Sequence, residues 1–204
     1  VTLDSSTEYY VLIDATAFDD LSGNSYAGIS STTALSFTVA DTTNPTLTSS
    51  VPAHTATGVA GSANIVLNFN ESVNVGSGNI TIKKTSDDSV AEAIDVTTGQ
   101  ISGSGSTQIT VNPSVTLSSS IEYYVLIDAN AFDDLSGNSY AGISSKTAYT
   151  FTIADTTDPT LTSSVPADNA TGVSVDADIV LNFSESFNAV NGNVTIKKTS
   201  DDSV

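Results

Sequence analysis

The 204 residues carry 23 Asp and Glu against 5 Lys and Arg, and the resulting charge of −18 repels phosphate backbones and anionic lipid, which excludes nucleic acid as a partner. There is no Cys, so neither a disulfide framework nor a thiolate metal site can form, and no apolar run approaches the roughly 20 residues of a bilayer span, so no membrane insertion is expected. Apolar residues still make up 39%, gathered into short β-branched runs between Ser, Thr, Asn, Asp and Gly, which is the texture of a packed all-β protein.

The chain repeats itself from its first residue. Residues 1–90 return as 115–204 at a constant offset of 114 without a gap, and roughly 70 of the 90 positions are identical. Pro45 and Pro159, in the shared Asp-Thr-Thr-Xaa-Pro segment, cannot donate to a strand ladder and hold the preceding residue extended, so each segment reads as a stiff connector. That sets the phase. Residues 1–40 are the C-terminal part of one repeat, 41–154 a complete repeat, and 155–204 the N-terminal part of the next, so the chain is expected to be an excerpt from a longer array.

Within the complete repeat the apolar residues alternate with period two, predicting seven strands. The first is 47–51, and the second, 65–69, turns Ile65, Leu67 and Phe69 to the core. The third covers 79–83, the fourth lies near 91–96, and the fifth includes 108–111. The sixth, 122–128, opens with Tyr123 and Tyr124, where a Greek-key sandwich often ties a corner with a tyrosine hydroxyl. One helical turn over 129–135, capped by Asp128, is expected next. The seventh strand, 147–153, points Tyr149, Phe151 and Ile153 one way, as Leu35, Phe37 and Val39 do in the preceding repeat. Short strands with turn chemistry between them predict an all-β fold of tandem immunoglobulin-like Greek-key β-sandwiches, about seven strands per repeat.

Phe69-Asn70-Glu71-Ser72-Val73, Tyr124-Val125-Leu126-Ile127-Asp128, Asp134-Leu135-Ser136-Gly137-Asn138 and the closing Phe151-Thr152, in that order after the connector, resemble the bacterial Ig-like domain of the surface-layer (SbsA-like) type. The resemblance implies tandem stalk or lattice modules of secreted surface proteins and large adhesins, often stiffened by calcium and without a catalytic role.

The Greek-key path is expected to bring three oxygen-rich segments to one pole: the connector with Asp41, a loop after the second strand with Asn70 and Glu71, and a loop after the sixth with Asp133, Asp134 and Asn138. Carboxylates, amides and carbonyls from separate loops suit Ca²⁺, which takes six to eight oxygens, so these residues are the candidate metal ligands. Their counterparts are Asp19, Asp20 and Asn24 in the first partial repeat and Asp155 and Glu185 in the last. The alternative is that Asp-Leu-Ser-Gly-Asn is an ordinary left-handed turn and the acids are solvated surface charge.

Catalytic chemistry is not expected. His54 is the only histidine, and Asp168 stands at its place in the next repeat. No phosphate-binding glycine motif occurs, and paired acids such as Asp19-Asp20 lack the Trp-lined cleft that glycoside hydrolysis uses. The expected role is an extracellular spacer or filament-forming module on the cell surface, whose partners are neighbouring copies of the same repeat, in one chain or as a homopolymer. The competing role is recognition of an unidentified carbohydrate or surface ligand through loops at one pole.

Overall fold

Along the second predicted strand Ile65, Leu67 and Phe69 are buried while Val66 and Asn68 are only half-buried, and the same alternation recurs at Ile80, Thr81 and Ile82 in the computed structural model, which describes residues 1–204. It divides into two units, Val1–Asp155 and Thr156–Val204. All of its regular structure is β, and no helix is long and apolar enough to cross a membrane.

The first unit opens with β1 (Glu8–Tyr10) and β2 (Ser36–Thr38), an antiparallel pair. A complete sandwich follows, made of β3 (Leu47–Val51), β4 (Ala56–Val59), β5 (Ile65–Val75), β6 (Asn79–Lys84), β7 (Val90–Asp95), β8 (Ile101–Ser102), β9 (Ser106–Val111), β10 (Glu122–Ile127), β11 (Phe132–Asp134) and β12 (Thr150–Ile153). One sheet runs β4-β12-β10-β6-β7, and the other runs β11-β5-β9-β8 with β3 also on β5. The core lies between them, with Leu67, Val73, Ile80, Ile82, Ile109, Val125 and Phe132 fully enclosed. The face of Tyr149, Phe151 and Ile153 is buried as the alternation requires. The second unit holds β13 (Leu161–Val165) and β14 (Val180–Phe183), paired in the register of β3 on β5.

The seven predicted strands are all present, and the structure adds three short ones, β4, β8 and β11. Residues 129–135 are not helical. Asn130 takes a left-handed φ of 68°, which ends any helical turn there, and β11 then pairs with the far end of β5. Asn70 and Glu71 do not lie in a loop either, because β5 runs unbroken to Val75. Between the pairs Asn68↔Gln108 and Val73↔Ser106, β5 advances five residues while β9 advances two, so residues 70–72 form a wide bulge.

Tyr123 makes the expected corner. Its hydroxyl accepts the Ser118 amide at 3.0 Å, five residues upstream, and Tyr9 accepts the Asp4 amide in the same way. Tyr124 instead donates to Asp88.

Glu92 ties a strap across β7. Its carboxylate accepts from the Ser114 amide and hydroxyl and from Gln100 Nε2. Partial burial opposes ionisation, but those donors outweigh it and hold the carboxyl below its ordinary 4.5. A folded value below the unfolded one contributes stability that is present above about pH 4.5 and is lost as the pH falls through the folded value. We expect Glu92→Gln to flatten the acid limb of the stability curve, measured by urea unfolding at stepped pH. Parallel acid limbs for the two proteins would contradict this.

Candidate metal centre

The gap between β3 and β11 along one edge of β5 is where the site forms. β3 covers β5 from Val66 to Phe69 and β11 covers it from Val73 to Val75, which leaves the bulge at 70–72 without a strand beside it on that edge. The connector enters there. Thr46 and Asn70 exchange bonds, the Asn70 amide donating to Thr46 O at 3.0 Å and the Thr46 amide to Asn70 Oδ1 at 2.6 Å. Asn70 is therefore a clamp that fixes the connector against β5, and in the second unit Ser184 holds Thr160 with the same two bonds.

The turn after β11 is shaped by Asp134. Its Oδ1 accepts the amides of Ser136 and Asn138, both at 2.8 Å, and its Oδ2 accepts Asn138 Nδ2 at 2.8 Å. Gly137 supplies the positive φ, 89°, that closes this turn. Asn138 Nδ2 also donates to the backbone carbonyl of Asp41 at 3.2 Å, joining turn to connector across 97 residues of sequence.

These devices converge on one cluster. One carboxylate oxygen from each of Asp41, Glu71 and Asp134 lies within 4.8 Å of the others, with Asp134 buried and the other two half-buried. Burial works against ionisation of Asp134, and the Asp41 carboxylate pushes the same way. The bonds from Asn138 and Ser136 prevail and keep Asp134 below the usual aspartate range. Asp41 is also held low, first by the Thr43 amide and then by the Ser5 hydroxyl, which donates to Asp41 Oδ1 at 3.0 Å.

Ser5 belongs to the first partial repeat, so Asp41 is gripped from one side by the repeat before it and faces the sandwich after it. The sequence reading did not single out Ser5. Its signal was there to find, since Ser119 holds the same place in the next copy and donates to Asp155 Oδ1 at 3.1 Å.

Asp133 stands apart from the cluster. Successive residues of β11 point to opposite sides, so while Asp134 turns inward, Asp133 accepts the Ser139 hydroxyl at 2.6 Å and lies against Gly76. Among the counterparts, Asp20 and Asn24 reproduce the Asp134–Asn138 turn bond for bond, with Asn24 Nδ2 2.8 Å from Asp20 Oδ2. Asp19 pairs with Ser25 as Asp133 does with Ser139. Asp155 ends the first unit and Glu185 lies in the second.

The donors are all oxygens, with no nitrogen or sulfur ligand among them, and three carboxylates bring charge that a hard divalent cation would neutralise. The set fits Ca²⁺. Asp41, Glu71 and Asp134 would hold it, and Asn138 turns its amide nitrogen, not its oxygen, towards Asp134 and the Asp41 carbonyl.

Because Asn138 bonds both Asp41 and Asp134, we expect Asn138→Ala to lower the unfolding free energy by about 1–2 kcal/mol in chelator, read by denaturant titration. A variant as stable as the parent would show that the turn and connector hold without it.

A profile of the bacterial Ig-like domain matches residues 41–153 and again residues 155–204. A search of functionally curated proteins gives no significant match. Among solved structures the chain is similar to the crystal structure of CopC from Methylosinus trichosporium OB3b, at 18% identity and a TM-score of 0.40, over 56% of this chain and 97% of that one. Together the two profile matches span most of the sequence, and the chain belongs to the bacterial Ig-like domain family.

Proposed function

We propose that the chain is a structural spacer or filament-forming module of an extracellular bacterial surface protein or adhesin, of the tandem surface-layer kind, whose junctions between repeats are stiffened by Ca²⁺. Bacterial Ig-like domains occur in surface or extracellular proteins and are typically non-enzymatic. Its partners on this reading are neighbouring copies of the same repeat, in one chain or as a homopolymer.

One observation carries the proposal. Asp41 lies on the connector, is bonded by Ser5 of the preceding repeat, and shares a 4.8 Å cluster with Glu71 and Asp134 of the following sandwich. An ion there would bind two carboxylates of the sandwich and one of the hinge. It would turn mutual repulsion into attraction and remove the freedom of the connector to swing. The charge of −18 keeps such an array soluble and apart from anionic surfaces.

Calorimetric unfolding of the chain in Ca²⁺ and in chelator tests this. A ligand that binds only the folded state at a hundredfold excess over its Kd stabilises by about 2.7 kcal/mol, so a clear rise in Tm with Ca²⁺ is expected. Glu71→Gln should lose that rise, and in chelator it should melt no lower than the parent because one repelling charge is gone. A parent whose Tm is the same in both buffers would end the calcium proposal.

A further inference from the structure

Two cross-strand rows cover the outer face of the sheet built on β5. The alternation that buries Ile65, Leu67, Ile109 and Val111 turns Val66, Asn68, Gln108 and Thr110 away from the core. Register then aligns them across strands. Ser49, Asn68 and Gln108 stand opposite one another on β3, β5 and β9, and Val51, Val66, Thr110 and Ser102 form the row beside them, which ends on β8. The first row is a hydrogen-bonded ladder, in which Gln108 Nε2 donates to Asn68 Oδ1 at 2.9 Å and Asn68 Nδ2 to Ser49 Oγ at 3.0 Å. The second unit keeps the first two strands of both rows, with Asn182 Nδ2 donating to Ser163 Oγ at 2.9 Å and Val165 in register with Val180.

No charge stands in either row, in a chain of −18. β3, β8 and β9 hold no charged residue, and the acids of this sheet, Glu71, Asp133 and Asp134, lie on the bulge of β5 and on β11. The opposite face of the sandwich is different. There Tyr124 donates to Asp88, Lys83 Nζ stands 5.8 Å from the Tyr124 ring centroid, and Lys146 pairs with Asp88 at 3.4 Å. Covering that face would strip water from charges, and covering the uncharged one does not.

The uncharged face suits a copy of itself. Acidic chains repel one another, and they meet with least repulsion where neither brings a charge. The ladder amides are already bonded to one another, so drying them breaks few bonds to water, and Val51, 58% exposed, leaves solvent. Neither row contains an aromatic ring on which a sugar could stack, which favours a second copy over a glycan. A two-fold axis along β5 sets ladder on ladder, with the Ser49 hydroxyl of each copy over the Gln108 Oε1 of the other.

We propose that this face is a lateral contact through which copies of the chain associate side by side, sheet face on sheet face. The proposal deepens the reading of other copies as partners and rests on it, but it does not rest on calcium. Four strands about 4.8 Å apart, crossed by two rows about 7 Å apart, offer about 300 Å² per copy, against about 800 Å² in a standard interface. One such contact is weak, and in an array its strength comes from repetition of the face.

Sedimentation equilibrium of the full chain in chelator, from micromolar to millimolar protein, tests this. At low salt the charge should hold the chain at its monomer mass of 20.8 kDa. In about 1 M NaCl, where the Debye length is about 3 Å, the mass should rise with concentration towards that of a dimer. Thr110→Glu should lower the association constant by about tenfold or more, because it sets like charges face to face. Ala93→Glu adds the same charge to the outer face of the other sheet, where Ala93 is exposed opposite Thr81, and should leave association unchanged. Gln108→Glu, at an exposed position, serves as the second variant if the unfolding transition of Thr110→Glu is lost. A parent that stays monomeric in high salt overturns the proposal. So does an association that survives both face variants, as contact through other apolar surface would, or one that Ala93→Glu weakens as much as they do. With chelator present the result bears on the face alone, and the response of Tm to Ca²⁺ reports the junction separately.

Discussion

Like charges held close together need a reason to stay, and the carboxylates of Asp41, Glu71 and Asp134, within 4.8 Å of one another, are held by backbone architecture. Asp134 is fixed by three donors from its own turn, Asp41 by Thr43 and Ser5, and Glu71 by its place on a bulge that β5 cannot straighten without shifting its register on β9. Sheet pairing and turn geometry thus pay for proximity that the charges resist. On the proposed reading a cation would relieve that repulsion, and the connector, bonded through Asn70 and Asn138, is where the consequence would be felt.

The same economy runs through the repeat. A 114-residue period places the connector motif, the Ser that grips it and the turn that faces it in every copy, so each junction can be assembled from identical parts. In an array of the proposed kind, such repetition would build length by nearest-neighbour contacts. The connector Asp and the bulge Glu are the same in both copies, Asp41 with Asp155 and Glu71 with Glu185.

Much of this was legible from the sequence because burial alternates along strands and prolines mark connectors. The core faces of Ile65, Leu67 and Phe69 and of Tyr149, Phe151 and Ile153 follow from period-two patterning alone. The apposition of Asp41 and Asp134, 93 residues apart, follows from the Greek-key path. What could not be read were features decided by partners distant in the chain. The two residues Ile101 and Ser102 form a strand only because the end of β9 lies beside them, and Phe132–Asp134 does so because β5 extends past its bulge. That extension also sets the side to which each acid turns, so that Asp133 and Asp134, adjacent in sequence, point apart, and it places Asn70 on β5, where its side chain holds Thr46.

The account turns on whether the hinge carboxylate and the two sandwich carboxylates share one ion. Anomalous diffraction from crystals of the chain grown with Ca²⁺, or with a lanthanide in its place, addresses that directly. The account predicts a single strong peak at the β3–β11 gap, at about 2.3–2.6 Å from oxygens of Asp41, Glu71 and Asp134. Crystals in which that gap holds no peak and Asp41 has swung away from Asp134 would contradict it.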